Sequence, residues 1–188
     1  SEMCIRDRSN INPLIFLNYK REYPFVDILV HGEGEQILEN IFDSYLDNKD
    51  YSKIKGISTK DFTTEPHPRI NNLDAIPSPY LTNLVWDLVE KIDGKINWIC
   101  SWETNRGCPF SCTFCQEGQS YFNKVRRHSL DFVKKELDYI SERTHPESGL
   151  WITDSNWAMY KWDEDIADHI ASIQKKIGWP TELITRTG

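Results

Sequence analysis

Nowhere in these 188 residues does an apolar run approach the roughly 20 residues that a helix needs to cross a bilayer. The opening residues show no signal-peptide pattern. Basic residues are in the minority: 22 Lys and Arg stand against 29 Asp and Glu, for a net charge of −7. That balance argues against a general nucleic-acid binder, whose phosphate contacts need clustered cations, so no nucleic-acid partner is expected. One dense basic run, Lys124-Val125-Arg126-Arg127-His128, is short and reads as a local anion contact or a solvated turn. Internal repeats and low-complexity tracts are absent. Five cysteines, unevenly placed, do not make a secreted disulfide framework. What is present is a foldable chain. Seven Trp and 39% hydrophobic residues suffice for one good core, or for one domain and part of another.

Three of the cysteines crowd into Cys108-Pro109-Phe110-Ser111-Cys112-Thr113-Phe114-Cys115, a C-x3-C-x2-C spacing. A loop this short can wrap its thiols around one face of a small inorganic cluster, and iron–sulfur clusters are held by such thiolates, usually four of them. Three local ligands would leave one iron of a cubane open to an exogenous ligand, as an open position does in a catalytic zinc enzyme. Zinc is the competing metal. A zinc knuckle needs a fourth ligand and favours paired C-x2-C or Cys/His spacings, whereas His128, the nearest downstream, lies outside the loop. Thiolates free to hold metal imply a reducing compartment, and the cytoplasm is the expected location.

The stretch Glu103-Thr104-Asn105-Arg106-Gly107-Cys108 and onward to Cys115 closely resembles the cluster loop of radical S-adenosylmethionine (SAM) enzymes, down to the aromatic Phe114 before the third cysteine. The resemblance implies that Cys108, Cys112 and Cys115 hold a [4Fe-4S] cluster. It further implies that the amino and carboxylate groups of SAM chelate the fourth iron, and that one electron cleaves SAM to methionine and a 5'-deoxyadenosyl radical. Phe114 would pack near the SAM adenine. A small-molecule or biosynthetic-intermediate substrate and a reductant such as flavodoxin or ferredoxin belong to the same expectation. No residue is singled out as catalytic.

Along the chain, residues 1–8 carry no usable periodicity, and Met3 to Arg8 resembles the translation of a transposase end used in DNA library preparation. They are expected to be a non-native leader in which Cys4 has no role. Within residues 9–50, Val26-Asp27-Ile28-Leu29-Val30 reads as a buried strand, His31 to Glu35 as a turn, and Ile37, Leu38, Ile41, Phe42 and Tyr45 as the apolar face of a helix. Val26 to Glu35 is similar to the last strand and turn of the cobalamin-binding domain fused to many radical SAM enzymes. Residues 9–50 are therefore expected to be the end of a Rossmann-like domain of that type. Cobalamin stays an open cofactor, because the D-x-H-x-x-G motif is absent and His31 does not fit it; His31 reads as a structural residue at a strand end.

Residues 51–95 read as a linker, with a short edge strand at Ile54 to Ile57, prolines at 66, 68, 77 and 79, and a short helix from Leu81 to Val89. Ile96 to Thr104 is fit for a strand in which Cys100 is a buried thiol. After it come a helix capped by Ser129, a strand Gly149 to Thr153, a helix from about Asp163 to Ile177, and a third strand Glu182 to Arg186. The fold class is α/β: a Rossmann-like domain tail, then residues 96–188 as the N-terminal half of a partial (β/α)6 radical SAM barrel. With three of about six strands, the chain alone is expected to have no turnover. The cysteine loop and Asp154-Ser155-Asn156 both follow strand C-termini, where α/β barrels build active sites. The family usually has Gly-Gly-Glu at the second position. The substitution here resembles the cobalamin-linked branch, which implies that Asp154 accepts from the SAM ammonium with Asn156 in support; simple turn capping is the alternative. Arg186 would reach a carboxylate or ribose.

With cobalamin, radical methyl transfer to an unactivated carbon is implied; without it, hydrogen abstraction and rearrangement are equally open. Two rivals remain at this point: an electron-transfer module with Cys100 as fourth cluster ligand, and a zinc-stabilised interaction domain.

Overall fold

The computed structural model describes residues 5–7, 25–92, 99–115, 117 and 122–186, which fall into two compact units, one within residues 1–71 and one within 72–188. Cys4 and residues 96–98 of the expected strand lie outside the described residues.

In the first unit, strands β1 (Ile5–Asp7), β2 (Ile28–Val30) and β3 (Ile57–Ser58) form one sheet in that order, β1–β2 parallel and β2–β3 antiparallel. Ile28, Leu29 and Val30 are all buried, as a continuous apolar run requires. Helix α1 (Glu35–Leu46) lays Ile37 and Ile41 on this sheet, and Ile54 and Ile57 complete the core. Phe42 and Tyr45, expected on the same face, are instead 53% and 54% exposed. Both sit further round the helix than the Ile37–Ile41 line, beyond the strip that a small sheet covers. Ile5 to Asp7, within the stretch expected to be leader, pair in parallel with Ile28 to Val30.

Part of the expected linker is folded into this unit. β3 lies in its sheet, Ser58 Oγ meets Thr63 Oγ1 at 2.8 Å, and Ile70 N donates to Glu33 Oε2 at 2.7 Å. His31 Nε2 and Ser58 Oγ share a 2.6 Å hydrogen bond, and burial holds the His31 pKa below its ordinary value.

In the second unit, Leu73, Tyr80 and Trp86 are buried, the last on helix α2 (Leu84–Val89). Strand β4 (Cys100–Trp102) is followed by a hairpin of β5 (Asn105–Arg106) and β6 (Arg126–Arg127), helix α3 (Leu130–Arg143), strand β7 (Leu150–Ile152), helix α4 (Lys161–Ile177) and strand β8 (Leu183–Ile184). The sheet order is β4-β7-β8, all parallel, with Cys100 opposite Leu150 and Leu150 opposite Leu183. This is the strand–helix–strand repeat expected of an α/β layer. Cys100, Trp102, Leu150 and Ile152 fill one face, where Val133, Leu137 and Ile140 of α3 and Ile166, Ile170 and Ile173 of α4 meet them. Ser101 and Trp151 alternate to the other face and are exposed.

The caps explain the helix limits. Ser129 Oγ accepts from Phe132 N at 3.2 Å, as its sequence position predicts. Helix α4 begins two residues before the expected start, because the buried Asp163 carboxylate accepts from Tyr160 N at 3.0 Å and closes the first turn. It stops at Gly178, whose φ of +79° is the left-handed conformation that glycine adopts without strain. No described helix is long and apolar enough to cross a membrane.

Candidate cluster-binding site

β4 runs through Glu103 and Thr104 into β5 and so delivers the chain to Gly107 and Cys108. The hairpin pairs Asn105 with Arg127 and Arg106 with Arg126, which joins the two roots of the cysteine loop. Arg106 Nε donates to Glu103 Oε2 at 2.7 Å on the same stretch. Gly107 has a φ of +118°, and a Cβ placed there would stand 2.8 Å from Phe122 O and 2.9 Å from Lys124 O. Only glycine satisfies both the angle and the space. The next amide, Cys108 N, donates to Phe122 O at 2.9 Å.

Cys108 is recessed, whereas Cys112 and Cys115 are exposed and linked by a backbone hydrogen bond from Cys115 N to Cys112 O at 3.1 Å. Phe114 is 92% exposed. Among the described residues no group of three His, Cys, Asp or Glu side chains converges as metal ligands, so the loop gathers the three thiols in sequence without closing them on a point. The donor set nonetheless suits iron–sulfur chemistry: three soft sulfur donors on one loop, two of them open to solvent.

Cys100 is elsewhere. It faces the packed side of the sheet at 1% exposure, and burial pushes its thiol up to about 11 despite a hydrogen bond with Thr144. It packs as a core residue under the helix layer.

β7 ends beside the root of the cysteine loop. Thr153 N and Thr153 Oγ1 both donate to Trp102 O, at 2.8 and 3.1 Å. Asp154, 1% exposed, is met by four donors. Its Oδ1 accepts from Thr104 N at 2.7 Å and Asn105 N at 3.1 Å, and its Oδ2 from Asn105 Nδ2 at 2.8 Å and from the Thr104 hydroxyl. A carboxylate has about four acceptor positions, and these four donors match that number. Burial outweighs these bonds and pushes the Asp154 carboxyl up to about 6.

Asn156 is also buried, and its Nδ2 has no partner. It is a donor ready for an acceptor that the described protein atoms do not provide. Arg186 is exposed, and its carbonyl accepts from Trp157 N at 2.7 Å, which ties the turn after β7 to the exit of β8.

No protein-family model matches the chain. It is 31% identical over 164 residues to 2-(S-pantetheinyl)-carbapenam-3-carboxylate methyltransferase from Streptantibioticus cattleyicolor, covering 84% of this chain and 24% of that protein. It is 30% identical over 172 residues to the cobalamin-dependent radical SAM methyltransferase TokK from Streptomyces tokunonensis, covering 88% of this chain and 25% of TokK. The chain is a homologue of cobalamin-dependent radical SAM methyltransferases. It spans about a quarter of the length of these curated relatives.

Solved radical SAM structures share the fold. The cobalamin-dependent enzyme OxsB, with aqua-cobalamin and SAM bound, superposes at a TM-score of 0.58 with 21% identity, covering 95% of this chain and 25% of OxsB. TsrM from Kitasatospora setae, with cobalamin and a [4Fe-4S] cluster bound, gives 0.56 at 17% identity, covering 82% of this chain and 31% of TsrM.

Two features of the site escaped sequence reasoning. The engagement of Asp154 by Thr104 and Asn105 spans about 50 positions, and the only sequence signal was short polar residues just past two neighbouring strands. The second is a stack in which the Arg127 guanidinium lies 4.4 Å from the Trp162 ring, itself 4.2 Å from Tyr160. Arg127 belongs to the basic run read as an anion contact or a solvated turn; its cation instead rests on an aromatic face.

Proposed function

We propose that this chain is the cluster-bearing part of a radical SAM methyltransferase acting on a small-molecule substrate. The observation that carries the reading is the position of the C-x3-C-x2-C loop at the exit of the first strand of a parallel α/β sheet, in a chain homologous to such enzymes. Cys108, Cys112 and Cys115 would hold the [4Fe-4S] cluster. Bound there with SAM, the cluster supplies one-electron cleavage of SAM to a 5'-deoxyadenosyl radical. The buried amide of Asn156 offers a hydrogen bond to SAM, and exposed Phe114 an apolar surface for the adenine. Asp154 acts through the protein, holding Thr104 and Asn105.

The unit within residues 72–188 corresponds on this reading to the start of the radical SAM barrel, and the unit within 1–71 to the end of a cobalamin-binding-type domain. Cobalamin rests on the relatives and on the resemblance of Val26 to Glu35 to a cobalamin-binding domain. No histidine motif for cobalt is present, and His31 Nε2 is already bonded to Ser58, so no step is assigned to cobalamin on residues of this chain. A reducing compartment, the cytoplasm, and a flavodoxin- or ferredoxin-type reductant go with the thiolate site.

Anaerobic reconstitution with iron and sulfide, reduction, and electron paramagnetic resonance with and without SAM test the proposal. A [4Fe-4S] signal that shifts on adding SAM is expected. A cluster whose signal ignores SAM points to electron transfer, and zinc with no cluster points to a structural metal; either overturns it.

A further inference from the structure

We propose that Asp154 is a positioning residue for the first cysteine of the loop, a buried clamp that fixes where Cys108 stands. Its carboxylate gathers two successive backbone amides, Thr104 N and Asn105 N, together with both side chains of that pair. Two successive amides bonded to one carboxylate oxygen hold the backbone at this point rather than merely filling space. From the other side, His128 N donates to Thr104 O at 3.0 Å, so Thr104 is held at both its amide and its carbonyl.

The constraint travels without a soft joint. Asn105 and Arg106 are paired to β6, Gly107 has backbone of Phe122, Lys124 and Val125 packed where a Cβ would be, and Cys108 N is bonded to Phe122 O. Cys108 is accordingly the recessed thiol of the three. A buried carboxylate is a costly way to join two strand exits, and an apolar residue would be cheaper if packing alone were at stake. Only an acceptor-rich side chain can hold two amides, a hydroxyl and a carboxamide at once. The functional meaning of the clamp rests on the cluster reading above; the clamp itself does not.

Thiol alkylation of the cluster-free full chain under reducing conditions tests it, with each cysteine followed by mass spectrometry. In Asp154→Ala, Cys108 is expected to label roughly tenfold faster, as befits the loss of hydrogen bonds to a charged group. Cys112 and Cys115 keep their rates, and Cys100, in the core, stays protected. Asp154→Asn is intermediate, since one oxygen still serves the two backbone amides while an NH2 group meets the Thr104 hydroxyl and Asn105 amide. Should Asp154→Ala fail to fold, Thr104→Val removes one donor and carries the same comparison with a smaller acceleration. Unchanged Cys108 labelling overturns the proposal, and so does Cys100 opening in step with Cys108, which would make Asp154 a general support of the fold.

The two readings fail separately. A clamp-dependent Cys108 in a chain that takes up no iron keeps this inference and sinks the cluster reading. A SAM-responsive cluster with unchanged Cys108 labelling does the reverse.

Discussion

Glu136 accepts a hydrogen bond from the indole nitrogen of Trp102 at 3.0 Å, with both side chains buried between β4 and α3. Trp102 is the last residue of the strand that leads to the cysteine loop, so this pair anchors the loop's base to the helix layer. Removing the acceptor leaves a buried N–H unsatisfied, which costs about 1–3 kcal/mol. Glu136→Ala is expected to lower urea stability by that amount, while Glu136→Gln, which keeps an oxygen in place, stays within about 1 kcal/mol of the parent.

Gly107→Ala strikes the loop itself. A φ of +118° is strained for alanine, and the added methyl meets two carbonyl oxygens below 3 Å. A destabilisation of about 1–3 kcal/mol is expected. Iron bound after reconstitution should fall more steeply than helix content measured by circular dichroism.

The pH dependence follows from Asp154. Burial raises its carboxyl to about 6 from an ordinary 3.8, so the folded chain binds this proton more tightly than the unfolded chain does. The associated stability is present in full below about pH 4 and is lost as pH rises through about 6, a swing of at most roughly 3 kcal/mol. Denaturation of the parent and of Asp154→Asn at pH 4.5 and pH 7 isolates the effect, because other carboxylates cancel in the difference. The parent should gain on the variant at the lower pH, and a gain at the higher pH would contradict the assignment.

Cys100→Ala separates core from ligand. Its thiol, pushed up to about 11 by burial, is inert at neutral pH. The substitution should cost about 1 kcal/mol for a small cavity. Iron and sulfide content after reconstitution should not change, and a loss of iron would revive a fourth-cysteine cluster.

The periodic parts of the fold were legible in advance. Ser129 caps its helix, Ile166, Ile170 and Ile173 pack as the expected stripe while Ile177, expected with them, is exposed at the helix end, and the strands at residues 100–102 and 150–152 fall within the expected runs. These depend on contacts a few residues apart. The β5–β6 hairpin and the Asp154 network were not legible, because the first pairs backbone about 20 positions apart between two-residue strands, and the second joins residues about 50 apart through short polar side chains that look like ordinary turn formers. Nothing in the sequence around Asp154 signals that its carboxylate is bonded to Thr104 and Asn105 at the neighbouring strand's exit. Phe42 and Tyr45 show the other limit, since an apolar face in sequence says nothing about how wide a sheet will be there to cover it.

The uneven exposure of the three thiols has a practical side. Air reaches the loop first at Cys112 and Cys115, a C-x-x-C pair at the surface, while Cys108 is shielded. Such pairs oxidise to a disulfide readily. A chain handled aerobically would then keep its fold and lose two of its three sulfur donors, a reversible injury that thiol reductant repairs and that a test of folding alone would never register.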